Sequence, residues 1–135
     1  MPEIYQKIKR ANDRLDTVLR PDIDLNQPDE LDTFVHSYLF FAGVFEGCWF
    51  YNGFSPIFAL QRRGLMNGTA EQLQYIMRDE ILHSGFGIRV VREIVKEENL
   101  TLDETRLRRM WDECEAAEDI YAGFLLADPI VGYNK

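Results

Sequence analysis

Apolar residues recur along most of this chain at helical spacing, and nowhere do they alternate for more than a few residues. Ile4, Ile8, Ala11, Leu15 and Val18/Leu19 lie three to four residues apart. That stripe predicts a first helix from Pro2 to about Arg20, stopped by Pro21. Residues 21 to 28 are polar, hold Pro21, Asn26 and Pro28, and predict a loop. A second helix is expected from near Asp29 to Arg62 or Arg63. Between Leu39 and Phe50 it is apolar on nearly all sides, which places it at the centre of a bundle. Gly43 and Gly47, four apart, offer a neighbouring helix a close approach. Asn52-Gly53-Phe54-Ser55-Pro56 predicts a kink or bulge, because Pro56 lacks a backbone donor and crowds the preceding turn. Gly64 to Gly68 forms a turn. Thr69-Ala70-Glu71-Gln72 and Thr101-Leu102-Asp103-Glu104 each fit a capping box. They open a third helix ending near Asn99 and a fourth ending near Ala127, with Asp128-Pro129 closing it. The expected fold is all-α: a single helical domain over residues 1–135, with about four helices and a long antiparallel hairpin of the second and third.

A chain of 135 residues with 46% apolar content is one domain, long enough to bury a core and too apolar for disorder. The net charge of -8 argues against nucleic acid and anionic membrane surfaces as partners. Leu39 to Leu60 is long enough to span a bilayer. Glu46 lies inside it, however, and a central charge costs roughly 2.5–3.5 kcal/mol on the insertion scale. Asn52, Gly53, Ser55 and Pro56 interrupt it as well, so a buried bundle helix is expected and no membrane span. Cys48 and Cys114 have no Cys-x-x-Cys spacing and read as free thiols in a reducing compartment. With no basic-then-apolar signal peptide, the expected location is cytoplasmic.

The chemistry concentrates in Ile76-Met77-Arg78-Asp79-Glu80-Ile81-Leu82-His83. Glu80 and His83 are spaced i and i+3, so they project from one helical face and can bind one metal ion. Carboxylate oxygen and imidazole nitrogen suit iron and manganese. Di-metal helical bundles add a lone Glu from a neighbouring helix. Glu46, in Phe45-Glu46-Gly47-Cys48-Trp49-Phe50-Tyr51, is a candidate, for no other charge lies in that stretch. The alternatives are plain: Glu80 and His83 as surface polar residues, Glu46 as a buried carboxylate paired with an Arg. An ideal hairpin turning near residue 66 leaves Glu46 and Glu80 roughly 9 Å apart in height. A bulge or a shorter second helix must absorb that. Asp79 points about 100° away from Glu80. It suits either a hydrogen bond to a metal-bound histidine from elsewhere or a salt bridge to Arg78 or one turn along. Phe50, four residues after Glu46, and Ile76, four before Glu80, line the same pocket or simply pack in the core. Trp49, Tyr51 and Tyr75 are candidate redox relays, or core. His36 is expected at the surface or an interface, and Cys48 as a small core filler. No catalytic residue is assigned.

The stretches Phe45 to Phe54, Gly68 to Gln72 and Tyr75 to His83 together resemble the small (beta, radical-generating) subunit of class I ribonucleotide reductase. Glu-Gly-x-x-Phe-Tyr-x-Gly-Phe and Arg-Asp-Glu-x-x-His stand in the family's order and separation. Weaker similarity runs from Glu3-Ile4-Tyr5 to Pro129-Ile130-Val131-Gly132-Tyr133-Asn134. The resemblance implies a ferritin-like helical bundle with a di-iron or manganese–iron centre, a bulged helix carrying the lone Glu, and Glu46, Glu80 and His83 as metal ligands. It further implies Asp79 as a member of an electron-transfer route, bonded to a metal ligand and not to the metal, and Phe50, Phe54 and Ile76 as lining of the radical pocket. The chain is similar to the second, C-terminal half of that bundle only. An Asp or Glu, another Glu-x-x-His and a radical tyrosine are expected from the first half, and a docking tail for the large subunit is missing at Lys135. Three functions follow. The chain is half of a reductase small subunit that needs a complementary chain and docks on a large subunit. Or it is a homodimeric ferritin-like oxidase or metal store, in which two copies supply four Glu and two His. Or it is a non-catalytic helical remnant. In each case the apolar surface around Phe40, Phe45, Phe50 and Ile76 is expected to drive association.

Overall fold

The computed structural model describes residues 2–128, and among these every regular element is a helix. The Pro129–Asn134 stretch of the resemblance lies outside the described residues. Helix α1 spans Pro2–Val18 and α2 spans Pro28–Leu39. The chain then continues without a break through a π-helical segment, Phe40–Trp49, into α3, Phe50–Gln61. Helix α4 spans Asn67–Glu97 and α5 spans Glu104–Leu125. These are the four expected helical rods, with α2, the π segment and α3 forming the second, as in a ferritin-like helical bundle. The rod pairs with α4 as an antiparallel hairpin, and α1 packs on α2 and α5.

The irregularity of the second rod falls earlier than the sequence predicts. Pro56 sits inside regular α3. Its missing N–H would leave the Asn52 carbonyl without a partner four residues back. The Ser55 hydroxyl donates to that oxygen at 2.6 Å and gives it a partner. The widened turns occupy Phe40–Trp49 instead, where the Phe50 N–H reaches back five residues to the Phe45 carbonyl.

Small residues fix how α4 crosses this segment. Gly87 is buried against Ala42, so closely that a Cβ at 87 would overlap the Ala42 side chain. A Cβ on Gly47 would stand 3.0 Å from the Ser84 hydroxyl, and one on Gly43 would be 3.4 Å from the Trp111 ring of α5. Gly43 and Gly47 do admit neighbours, as their spacing suggests, and Gly87 admits the closest one. The core gathers Phe40, Val44, Trp49, Met110, Cys114 and Ala117, with Phe41, Phe45 and Cys48 packed against it. Phe40, expected on an uncovered face, is fully buried with its ring edge-on to Trp49 and Phe41.

Both capping boxes are displaced. Helix α4 starts at Asn67, after a turn in which Gly64 and Met66 adopt positive φ, and no side chain caps it. Helix α5 is capped by Asp103, which accepts from the Thr105 and Arg106 N–H groups at 2.8 and 3.1 Å. A carboxylate at a helix N-terminus binds those donors and meets the positive end of the helix dipole, so it displaces Thr101 from that role. At the other end of α4, Asn99 takes a left-handed conformation and the Leu100 N–H returns to the Val95 carbonyl. That is the six-to-one bond of a Schellman stop.

Candidate metal centre

Glu46 comes from the π segment, and Glu80 and His83 come from α4. One ligand atom from each lies within 4.8 Å of the others. The expected height mismatch vanishes chiefly because α3 ends at Gln61. Glu46 then stands fifteen residues before the end of α3 and Glu80 thirteen after the start of α4. Two residues of α-helix are roughly 3 Å, which the wider, shorter π turns reduce further.

Glu80 is only 8% exposed. Its partner is His83, whose Nδ1 lies 3.3 Å from Oε2, longer than the 2.7–2.9 Å typical of a charge-assisted bond. Burial pushes the Glu46 carboxyl above its ordinary range; His83 draws it down and Glu80 pushes it further up. Among the described residues no Lys or Arg pairs with either carboxylate, so the Arg-paired alternative for Glu46 does not form. Two partly desolvated carboxylates beside an imidazole, with no cation to balance them, fit a divalent metal ion. An apolar or hydrogen-bonded core filler would not need this arrangement. The His83 side chain is 60% exposed, so the triad opens outward.

The other candidates scatter around it. Asp79 is exposed and makes no hydrogen bond or ion pair among the described residues. Phe45, Phe50 and Phe54 form a ring series with centroids 4.8 and 6.1 Å apart. Phe50 lines an apolar groove of about 450 Å³ shared with Ile4, Ile8 and Leu15 of α1, while Ile76 is exposed. The Tyr51 hydroxyl donates to the Met77 carbonyl at 3.3 Å, which ties α3 to α4 one turn from Glu80. Trp49 is buried and Tyr75 is exposed. Cys48 and Cys114 are free, and burial raises both thiols.

Two buried polar residues escape the sequence pattern. Lys7 forms an ion pair with Glu118 and lies over the Trp49 and Tyr121 rings at 4.9 and 4.4 Å. Its position between Ile4 and Ala11, on the apolar stripe, was the available signal. His36, expected at the surface or an interface, is 4% exposed. Its Nδ1 is satisfied locally, 2.8 Å from the Asp32 carbonyl, which lets α2 bury the ring.

None of the helices among the described residues is long and apolar enough to cross a membrane. A subunit beta of ribonucleoside-diphosphate reductase from Chlamydia pneumoniae is 37% identical over 91 residues, covering 67% of this chain and 26% of the relative. The Treponema pallidum subunit beta is 31% identical over 68% of this chain and 27% of its own length. The small subunit from Dictyostelium discoideum is 28% identical over 98% of this chain and 40% of its own. The chain thus spans between a quarter and two fifths of these relatives. The family model for the ribonucleotide reductase small chain matches residues 1–135, and with the lone Glu and the Glu-x-x-His unit meeting on adjacent helices, the chain belongs to that family.

Proposed function

We propose that this chain supplies half of the carboxylate–histidine site of a ribonucleotide reductase small subunit. Glu46, Glu80 and His83 would hold iron or manganese, with the remaining ligands brought by a companion segment. The observation that carries this reading is the convergence of the three ligand atoms within 4.8 Å on a face that leaves His83 open. Di-metal bundles combine two helices bearing a lone Glu with two bearing Glu-x-x-His. The π segment and α4 are one of each. When bound, a pair of such ions supplies one-electron oxidising chemistry. The chain's own residues would position the ions: Phe45 packs against Trp49 and Phe50 on the segment that carries Glu46, and the Tyr51–Met77 bond fixes α3 on α4. Asp79, exposed one position before Glu80, would accept from a histidine of the companion segment. Phe54 and Ile76 would line the pocket once it is closed. A reductase large subunit is the partner this reading implies.

The test is metal content after anaerobic loading with ferrous iron or manganese. Glu80→Gln should weaken binding by more than the roughly 10–100-fold that follows loss of a mere supporting residue. Circular dichroism should be unchanged. Equal metal in variant and wild type would reject the site.

A homodimeric oxidase or metal store is favoured by one observation. Tyr75, Leu82 and Phe86, seven and four residues apart on α4, form an exposed apolar stripe beside His83. A second copy seated there would bring a second Glu46, Glu80 and His83. Metal uptake that rises with protein concentration favours this reading. Uptake that needs an added companion polypeptide favours the first.

A further inference from the structure

Away from the metal centre, α1, α2 and α5 enclose a cleft of about 360 Å³. Arg14, Arg106, Arg109 and His36 line it, with Asp13 and Glu113 among the remaining residues. Most of these charges are matched. Arg106 pairs with Asp32 at 2.6 Å, Glu113 accepts from Arg10 at 2.7 Å, and Asp13 accepts from Lys9 at 2.5 Å. Two are not. Arg14 donates to the Arg10 carbonyl at 3.2 Å and lies 4.3 Å over the Phe40 ring. It has no carboxylate within ion-pair distance among the described residues, and neither does Arg109. Burial lowers the Arg14 guanidinium from its ordinary range, although the nearby Cys114, Glu113 and Asp13 pull the other way.

His36 adds a directional requirement. Its Nδ1 lies 2.8 Å from the Asp32 carbonyl and 3.2 Å from an Asp32 carboxylate oxygen. Both neighbours are acceptors, so Nδ1 carries the hydrogen, and in the neutral ring Nε2 offers a lone pair. That Nε2 is buried and has no partner among the described residues. A buried acceptor left unmade is costly.

Two unmatched guanidinium groups beside an unmet acceptor call for a ligand with negative oxygens and one acidic hydroxyl. We propose that the cleft binds inorganic phosphate as hydrogen phosphate, its charged oxygens on Arg14 and Arg109 and its P–OH donating to His36 Nε2. Sulfate has the charge but no hydroxyl. A phosphate monoester, with a second pKa near about 6, has largely lost its proton at pH 7.5.

Isothermal titration calorimetry of the whole chain at pH 7.5 and constant ionic strength tests this with three ligands: inorganic phosphate, sulfate and a nucleoside monophosphate. Saturable one-to-one phosphate binding is expected, with sulfate and the monophosphate at least about tenfold weaker. Arg109 is exposed, so Arg109→Gln should fold normally, and its phosphate affinity should fall by about tenfold or more, the scale of one charge-assisted bond. Its iron content should not change, which separates this site from the metal centre. The proposal is overturned if phosphate does not saturate, if sulfate binds equally well, or if Arg109→Gln binds phosphate as wild type does.

Discussion

Lys7 is the residue whose burial is hardest to reconcile with its charge. Glu118 and the faces of Trp49 and Tyr121 hold it in place. Lys7→Met should therefore destabilise the chain by roughly 3–5 kcal/mol, because Glu118 stays buried without its cation. Adding Glu118→Gln should recover much of that loss, and urea denaturation of the single and double variants checks both. The thiols give a pH prediction. Burial raises Cys48 and Cys114 above the ordinary value of 9.0. A folded-state pKa above the unfolded one means stability that is present below that value and lost as pH rises through the folded pKa. Native alkylation should be slow at pH 8, and the denaturation midpoint should fall above pH 9. Cys48→Ala/Cys114→Ala should flatten that fall. At this scale Glu46, Glu80 and His83 were legible, because helical spacing and an isolated charge are local signals. Lys7 and His36 were not. The place of Lys7 on the apolar stripe is the one hint, because their burial depends on Glu118 in another helix and on a backbone carbonyl one turn away.

Among the elements, the crossing of α4 over the π segment rests on Gly87. Gly87→Ala should cost about 1–3 kcal/mol by forcing the helices apart, although alanine is the better helix former. Gly85, two residues earlier, has nothing within 4 Å of its missing Cβ. Gly85→Ala should therefore stabilise by about 0.5–1 kcal/mol. Opposite shifts in the thermal midpoints of the two variants are the measurement. Helix number, order and the hairpin could be read from periodicity and turn residues. The π segment could not: a run apolar on all sides looks the same whether its hydrogen bonds reach back four residues or five. Pro56 drew the expected bulge to the wrong place because its effect depends on whether the Asn52 carbonyl finds another donor, and Ser55 provides one. The caps moved for a similar reason. At α5 a carboxylate outcompeted a hydroxyl, and at α4 the positive-φ turn through Met66 set the start before Thr69 was reached.

For the whole molecule, α4 carries an uncovered apolar stripe, whereas Phe40 is fully buried. Tyr75, Leu82 and Phe86 are each more than 60% exposed, on the same helix as Glu80 and His83. This chain alone should self-associate at micromolar concentration. Leu82→Glu/Phe86→Glu should return it to a monomer with its helical signal intact, and light scattering distinguishes the outcomes. An unchanged mass in the double variant would place the association elsewhere. The π segment also governs the order in which the molecule opens. Wide turns are a poorer hydrogen-bonded state than the α-helix on either side and are rare without a functional reason. Their amides should exchange with solvent sooner than those of α2 and α3, although Val44 and Trp49 are among the best-buried residues of the chain. Protection would then dip in the middle of a continuous helical rod, where ends ordinarily fray first. An ion bridging Glu46 to Glu80 and His83 would bind the closed form alone, so slowing of exchange across Phe40–Trp49 would report its arrival before any chemistry is measured.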